Sequence, residues 1–209
     1  MTASVRTVTM RVGKLNFTEE TTRLSTSRTE LDSHADVTVL GKNVLVLTDF
    51  DRPVTVTGYN PESPSLPNVK TVGAAVAYDD PLTGQTIMLT INQALHIPHL
   101  ENNLLCPMQC RMNGVLVNDV PKFLKDKPSN DDHAILIETE KHGLTRIPLS
   151  LRGIVSYFPT RKPTITEYEQ CEFHLELTSE GPEWDPGSST FDQQESSLLD
   201  SRGQIQDTL

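Results

Sequence analysis

STSRTELDSHADVTVLGKN, residues 25–43, carries an acidic turn between two stretches that favour β-strands. Asp32 and Ser33 follow a short segment of alternating residues, and the β-branched stretch VTVL follows at 37–40. A tight turn between strands holds a carboxyl group on rigid backbone, which general acid–base catalysis requires. An Asp-Ser pair also forms Asx and Ser turns that carry no chemistry, so the turn alone leaves both interpretations open.

The stretches that follow this turn predict further strands. Four of them are rich in Val, Ile and Thr and are separated by turn residues, which is typical of a β-protein. They read NVLVLT (43–48), PVTVTGY (53–59), TVGAAVAY (71–78) and QTIMLTINQAL (85–95).

Two hairpins and one helix complete the predicted domain. DDPLTGQ (79–85) supplies Pro and Gly for a hairpin turn, and HAILIETEKHGLTRIPLSL (133–151) predicts a final hairpin. LLCPMQCRM (104–112) predicts the one short helix, with Pro107 in its first turn. The fold prediction is therefore a single all-β domain that forms a small closed barrel.

The charge distribution predicts a boundary near the end of this domain. Residues 1–162 contain 17 basic and 17 acidic residues, whereas residues 163–209 contain one basic and eleven acidic residues and carry the whole net charge of −10. We predict a loose leader at 1–25, the folded domain at 26–155, and an acidic, largely disordered connector at 156–209. A neutral domain without a basic patch is not expected to bind nucleic acid directly.

Cysteine content and hydropathy indicate the compartment. Three cysteines in 209 residues do not make a disulfide framework. The chain shows no apolar signal region at its start and no apolar run of 18 residues. We expect a soluble intracellular protein, in the cytoplasm or in a virus-like particle, with no membrane partner and no cofactor.

A group of potential metal ligands supports one alternative hypothesis. His96, His99, Cys106 and Cys110 lie within 15 residues of one another. Their spacing is not that of a zinc finger, and Pro98 prevents the two histidines from sharing a helix face. We keep a zinc-stabilised interaction domain as a third functional hypothesis, behind the two that are given below, and we assign no metal ligand.

Two segments resemble the protease region of Copia-type retrotransposons. ELDSHADVTVLGKN (30–43) resembles the active-site segment of retroviral-type aspartic proteases, in which Asp is followed by Ser or Thr, Gly and Ala. ALHIPHLENNLLCPMQCRMNGVLVND (94–119) resembles the segment that follows the flap in the Copia type. The matching positions in that segment are Leu95, Ile97, Pro98, Leu100, Asn103, Leu104 and Leu105. The resemblance covers about residues 30–119 and implies a retropepsin-like acid-protease barrel.

The resemblance implies a catalytic role for the turn at Asp32. Asp32 would be the catalytic carboxylate, and because the chain supplies one such residue, the second would come from a homodimeric partner. Ser33 would brace the paired turns, and the small Ala35 would allow them to approach closely. Asp36 is expected at the surface or as a loop cap, and the similar Asp200–Ser201 pair in the acidic tail is expected to be a decoy.

The resemblance implies that the substrate is the polyprotein of the retrotransposon itself, and that a flap closes over the bound substrate. The flap residues that would bind the substrate are Thr57, Gly58, Tyr59 and Asn60. His34 departs from the pattern because the family has glycine there, so that a backbone N–H can approach the catalytic carboxylates. Either His34 points outward and leaves this amide in place, or the turn has lost its productive geometry and the domain only dimerises or binds. The second possibility is the alternative hypothesis of an inactive barrel.

Overall fold

The computed structural model describes residues 2–4, 27–58 and 64–206. These residues form fourteen strands, three short α-helices and a 3-10 turn at Lys122–Leu124. The helices are α1 (Pro107–Arg111), α2 (Ile165–Gln170) and α3 (Thr190–Ser197). The strands are β1 (Thr2–Ser4), β2 (Ser27–Leu31), β3 (Val39–Leu40), β4 (Leu45–Asp49), β5 (Val54–Thr57), β6 (Leu66–Asp79), β7 (Thr86–His96), β8 (Asn103–Leu105), β9 (Leu116–Asn118), β10 (Ala134–Thr139), β11 (Gly143–Pro148), β12 (Ser150–Arg152), β13 (Val155–Thr160) and β14 (His174–Thr178). Within the described ranges, none of the helices has the length and apolar character needed to span a membrane.

Eleven of the strands, counting β1, form one open mixed sheet. Its order is β1-β5-β6-β7-β3-β8-β2-β13-β12, with β4 paired to β6 and β14 paired to β7 in addition. The other three strands form a small antiparallel sheet in the order β11-β10-β9.

The long hairpin of β6 and β7 is the centre of the main sheet. These strands have 14 and 11 residues and pair with each other along most of their length. The outer edge of β6 is shared by β4 and β5, while the outer edge of β7 is shared by β14 and β3. This arrangement brings β3, which follows the Asp32 turn, to the end of β7.

One apolar core joins the two sheets. Val76, Leu89 and Phe158 of the main sheet pack in the same buried cluster as Ile135 and Ile147 of the small sheet. Burying side chains of this size stabilises a fold by about 1.5–3 kcal/mol each. The small sheet is therefore packed against the main sheet as part of one core.

The predicted closed barrel is wrong. In the described residues the main sheet is open, and its path ends at β1 and β12, which do not pair with each other. The fold is mixed α/β, with three short helices instead of the single predicted one. The physical reason is that each long central strand offers more edge than one neighbour covers, so the sheet branches instead of closing.

The predicted disorder of the acidic tail is also wrong. β13 pairs with β2, and β14 pairs in parallel with β7, so both belong to the main sheet. In β14, Leu175 and Leu177 are buried whereas Glu176 between them is exposed. In this strand the acidic residue faces solvent while the two leucines beside it enter the core. The predicted leader lies largely outside the described residues, and the predicted domain boundaries stay predictions.

Arg161 fastens the segment after β13 to the central hairpin. Its backbone N–H and C=O exchange hydrogen bonds with Ala77, at 3.0 and 2.9 Å. Its guanidinium contacts Asp79 through two hydrogen bonds, at 2.6 and 3.0 Å, and also pairs with Glu167 of α2. These charge-assisted hydrogen bonds from Arg161 hold the pKa values of the Asp79 and Glu167 carboxyl groups below their usual range.

Replacing Arg161 by methionine should remove a pH-dependent part of the stability. The two carboxyl groups have lower pKa values in the folded chain than in the unfolded chain, where the values are near 4. Their contribution to the free energy of unfolding is therefore fully present above the unfolded-state pKa values, and it is lost as the pH falls through the folded-state pKa values. We expect Arg161→Met to lower the free energy of unfolding by about 1 kcal/mol at pH 7, with the difference shrinking toward pH 3. Urea denaturation at both pH values measures this.

Arg146→Met is the matched control for this experiment. Among the described residues Arg146 forms one ion pair, with Asp131, whose side chain is about half exposed; such single pairs contribute about 0.5 kcal/mol or less. An Arg161→Met difference that stays the same at pH 7 and pH 3 would contradict the assignment to the two carboxyl groups.

Candidate active site

The Asp32 turn connects two strands that lie on opposite sides of a third. β2 pairs in parallel with β8 on one side, and β3 pairs with β8 on the other, so residues 32–38 pass over the end of β8. The Asp32 N–H donates to the carbonyl of Leu105, the last residue of β8, at 3.0 Å. The segment is therefore a looped crossing between separated strands and not a plain hairpin.

The backbone of this turn is folded around the Asp32 side chain. The His34 N–H donates to Asp32 Oδ1 at 3.0 Å, and the Ala35 N–H donates to the Asp32 carbonyl at 3.2 Å. Asp32 is half-buried, Ser33 and His34 are exposed, and Ala35 is buried. The turn thus offers one oriented carboxylate at a surface that a second molecule can reach.

His34 keeps its backbone amide on the carboxylate while its ring lies at the surface. It is not one of the residues with positive φ, so the histidine side chain adds no strain of that kind. The Ser33 hydroxyl lies 3.5 Å from His34 Nδ1, at the limit of a hydrogen bond. Both possibilities that the sequence left open for His34 stay predictions.

A buried polar network that the sequence analysis missed supports the turn from below. Thr38 is fully buried; its N–H donates to Gln109 Oε1, and its hydroxyl accepts from the Cys106 N–H, both at 3.1 Å. Gln109 in α1 also donates to the carbonyl of Gln93 in β7, at 3.3 Å. Because unpaired buried polar groups cost about 1–3 kcal/mol each, this network fixes the turn relative to α1 and β7.

Asn103 forms a second buried link between the strands around the turn. Its Oδ1 accepts from the Gly41 N–H at 2.9 Å, and its Nδ2 donates to the Thr29 hydroxyl at 3.2 Å. Thr29 belongs to β2, and Gly41 directly follows β3. The asparagine of the Copia-type pattern therefore connects the chain before the turn to the chain after it.

Two of the four predicted flap residues, Thr57 and Gly58, are described and lie at the end of β5. Thr57 is the last residue of β5 and is half-buried, and Gly58 after it is exposed. Tyr59 and Asn60 lie outside the described residues. The β5–β6 hairpin and the turn pack on one small apolar group, which we call the cleft cluster. Its members are Val37, Val39, Val56, Val69, Leu95 and Ile97.

Trp184 in the acidic segment also packs against the cleft cluster. The side chain is half-buried, and both its backbone N–H and its indole N–H are hydrogen-bonded. The signal in the sequence was a single aromatic residue between two prolines in GPEWDPG (181–187), which lacks the periodicity of a strand or helix.

The potential zinc ligands are not gathered into a site. In the described part of the chain, no group of three or more His, Cys, Asp or Glu side chains is arranged to hold a metal ion. Burial raises the pKa of the Cys106 and Cys110 thiols and lowers the pKa of His96. The negative charges of Asp36 and Asp32 add a smaller upward shift to the pKa of Cys106.

Comparison with known proteins gives no match to a family model, to a curated protein or to a solved structure. The resemblance to Copia-type proteases therefore depends on the matching residues themselves and stays a prediction. What the geometry provides independently is an accessible carboxylate, oriented by a backbone amide, on a turn held by buried hydrogen bonds. Such a group is suited to proton transfer.

Proposed function

We propose that this protein is an aspartic endopeptidase whose catalytic pair consists of Asp32 from each of two copies of the chain. The observation that carries this proposal is the hydrogen bond from the His34 N–H to Asp32 Oδ1, on a looped turn that crosses over β8. The closed barrel is not part of the proposal, which depends on the local geometry of the turn.

The chemistry follows from the repulsion between two like charges. Carboxylates about 3 Å apart cannot both ionise readily, so the pair holds one proton between them. The ionised carboxylate takes a proton from water, whose oxygen attacks the peptide carbonyl, while the protonated one donates to the carbonyl oxygen. When the tetrahedral intermediate collapses, the C–N bond breaks and the nitrogen leaves with a proton from the pair. One hydroxyl of the intermediate returns its proton to the other carboxylate, so the new acid forms and the pair again holds one proton.

Each residue of the turn has a role in this proposal. The His34 amide orients Asp32 through Oδ1 and leaves the other carboxylate oxygen for the partner and the water. Ser33 is exposed in the single chain. This is required of a residue whose hydroxyl is proposed to form hydrogen bonds with the partner across a two-fold axis. Ala35 is buried beneath the turn and adds little bulk where the two copies meet.

The proposed substrate is an extended segment of a polyprotein. The chain would pass between the Asp32 turn and the β5–β6 hairpin, both of which pack on the cleft cluster. Thr57 and Gly58, together with Tyr59 and Asn60, are proposed to close over the substrate and exclude water.

One observation favours the alternative of an inactive dimerisation or binding module. The His34 ring is exposed beside Asp32, at the position where the resembling family has glycine. In a dimer the two rings would lie close to the symmetry axis, where they would compete with the substrate for space. The turn would then serve as a contact surface without catalysis.

Cleavage of a polyprotein substrate by the full chain at mildly acidic pH tests the proposal. We expect cleavage that pepstatin inhibits, and a specific activity that rises with chain concentration until the dimer saturates. Size-exclusion chromatography over the same concentrations should show the dimer appearing in parallel. Cleavage that resists pepstatin, or that persists in fractions containing only monomer, would contradict the proposal.

A further inference from the structure

Residues 179–187, which we call the strap, cross the surface beside the Asp32 turn and are held there by Gln93. The Gln93 side chain donates to the carbonyls of Ser179 and Pro182, at 3.0 and 2.8 Å, and accepts from the Trp184 N–H at 2.7 Å. Gln93 is buried, and its backbone lies at φ 53° in β7. A residue in this conformation and with these partners fixes the strap to the main sheet.

Trp184 places the strap directly against the proposed active site. Its indole N–H donates to the carbonyl of Asp36, four residues after Asp32, at 2.9 Å. Its ring packs on the cleft cluster, and Glu183 next to it pairs with Arg52, which precedes β5, at 3.1 Å. The strap is therefore bonded on one side to the turn and on the other to the hairpin that carries the proposed flap.

A cavity of about 330 Å³ lies under the strap. Its walls include Val37 of the turn, Val54 of β5, Thr71 of β6 and Leu95 of β7, and its cover includes Trp184 and the residues on either side of it. Mostly apolar walls and a volume at the lower end of the range for ligand sites suit one large apolar side chain.

We propose that the strap is an autoinhibitory cover over the pocket that binds a large apolar side chain of the peptide substrate. This inference depends on the proposed protease function. A substrate that reaches Asp32 must lie along the turn, where the indole of Trp184 already occupies the Asp36 carbonyl. It must also pass between the turn and the hairpin, which the strap bridges through Glu183 and Arg52. Substrate binding therefore requires that the strap leaves.

The kinetics of strap variants test this competition. If the strap is open in about one-tenth of the molecules, the observed affinity for substrate is about tenfold weaker than the affinity of the open form alone. We expect Trp184→Ala to lower KM about tenfold, with kcat within a factor of two. Trp184→Phe keeps a smaller aromatic ring but lacks the N–H donor, so its KM should be intermediate. Glu183→Gln should lower KM about twofold, while its matched control Glu180→Gln, at an exposed strap residue outside these contacts, should leave KM unchanged.

Trp184 is the only tryptophan of the chain, so its fluorescence reports on the strap without any cleavage. In an Asp32→Asn chain, which is designed not to cleave, saturating amounts of the uncleaved substrate peptide should shift the tryptophan emission to longer wavelength as the indole enters water. A peptide of the same composition with its large apolar residues replaced by serine is the control and should cause no shift.

The two readouts separate the strap from the protease. Equal KM values for the original chain and both Trp184 variants would overturn the strap and leave the protease intact. No cleavage by any variant, together with a saturable emission shift, would overturn the protease and support the strap as a cover over a peptide-binding groove. Neither cleavage nor a shift would overturn both.

Discussion

Asp32→Asn is expected to lower kcat for polyprotein cleavage by at least about 10³-fold. General acid–base catalysis contributes about 10²–10⁴-fold, and this substitution removes the ionisable group from both halves of the proposed pair. The asparagine side chain still offers an oxygen to the His34 N–H, so the turn should keep its shape. The variant should therefore dimerise and unfold like the original chain, and single-turnover cleavage at mildly acidic pH measures the loss.

Asp200→Asn is the matched control because the same dipeptide, Asp-Ser, stands at 200–201 in the acidic segment. In the described part of the chain, its carboxylate accepts from the N–H groups of Arg202 and Gln204 in a local turn after α3. Cleavage by this variant should equal that of the original chain. If Asp32→Asn retains more than about a tenth of the activity, the assignment of the catalytic carboxylate is wrong.

Mixing the two chains tests whether the site is shared. A tenfold excess of the Asp32→Asn chain should draw most of the active chains into mixed dimers, each of which lacks one carboxyl group. We expect the activity to fall to about a tenth if the two chains exchange freely. Activity that does not change with the excess would indicate a site built from one chain, and no cleavage by the original chain would favour the inactive module.

Local features of the fold could be predicted from the sequence. The turn DDPLTGQ does join β6 and β7, with Gly84 at φ 71°, and the predicted last hairpin is formed by β10 and β11. The predicted helix is present as α1, with Pro107 at its start. Each of these depends on residues that are close in sequence, where turn and cap chemistry act directly.

The arrangement of the strands could not be predicted in the same way. β2 pairs with β13, about 130 residues later, and β14 pairs with β7 about 86 residues earlier. No local pattern encodes such partners. The alternation in HLELT (174–178) is a strand signal, but the acidity of the surrounding segment suggested disorder instead. The net charge of a segment says nothing about which of its faces is buried.

In the candidate site, too, local features could be predicted from the sequence whereas contacts between distant residues could not. The position of Asp32 on a rigid turn was predicted, whereas its support by Thr38 and Gln109 was not. Thr38 lies between Val37 and Val39 in a stretch that is buried throughout, so its hydroxyl could only be understood once Cys106 was seen opposite it. Asn103 was marked only by the resemblance, and the structure gives it a physical role in joining Thr29 to Gly41.

Gly41→Ala should destabilise the chain by about 3 kcal/mol, because the backbone after β3 has no room for a side chain. A Cβ at Gly41 would lie 2.4 Å from the carbonyl oxygen of Leu100 and 2.9 Å from that of Asn102. The backbone cannot move away without breaking hydrogen bonds, because the Gly41 N–H donates to the Asn103 side chain and the Lys42 N–H donates to the Leu100 carbonyl. Overpacking costs about 1–3 kcal/mol, and losing a buried hydrogen bond adds to it.

The midpoint of urea denaturation measures this loss, and Gly187→Ala is its matched control. A Cβ at Gly187 would lie 3.5 Å from Asp185 Oδ1, an ordinary contact, so its effect should stay within about 0.5 kcal/mol. Because Asn103 connects Gly41 to β2, and β2 leads into Asp32, the Gly41→Ala chain should also lose cleavage activity under conditions where it is still folded. A destabilisation below about 1 kcal/mol would mean that residues 97–103 pack less tightly against the chain after β3 than the structure shows. The Asp32 carboxylate would then be held less rigidly than catalysis requires.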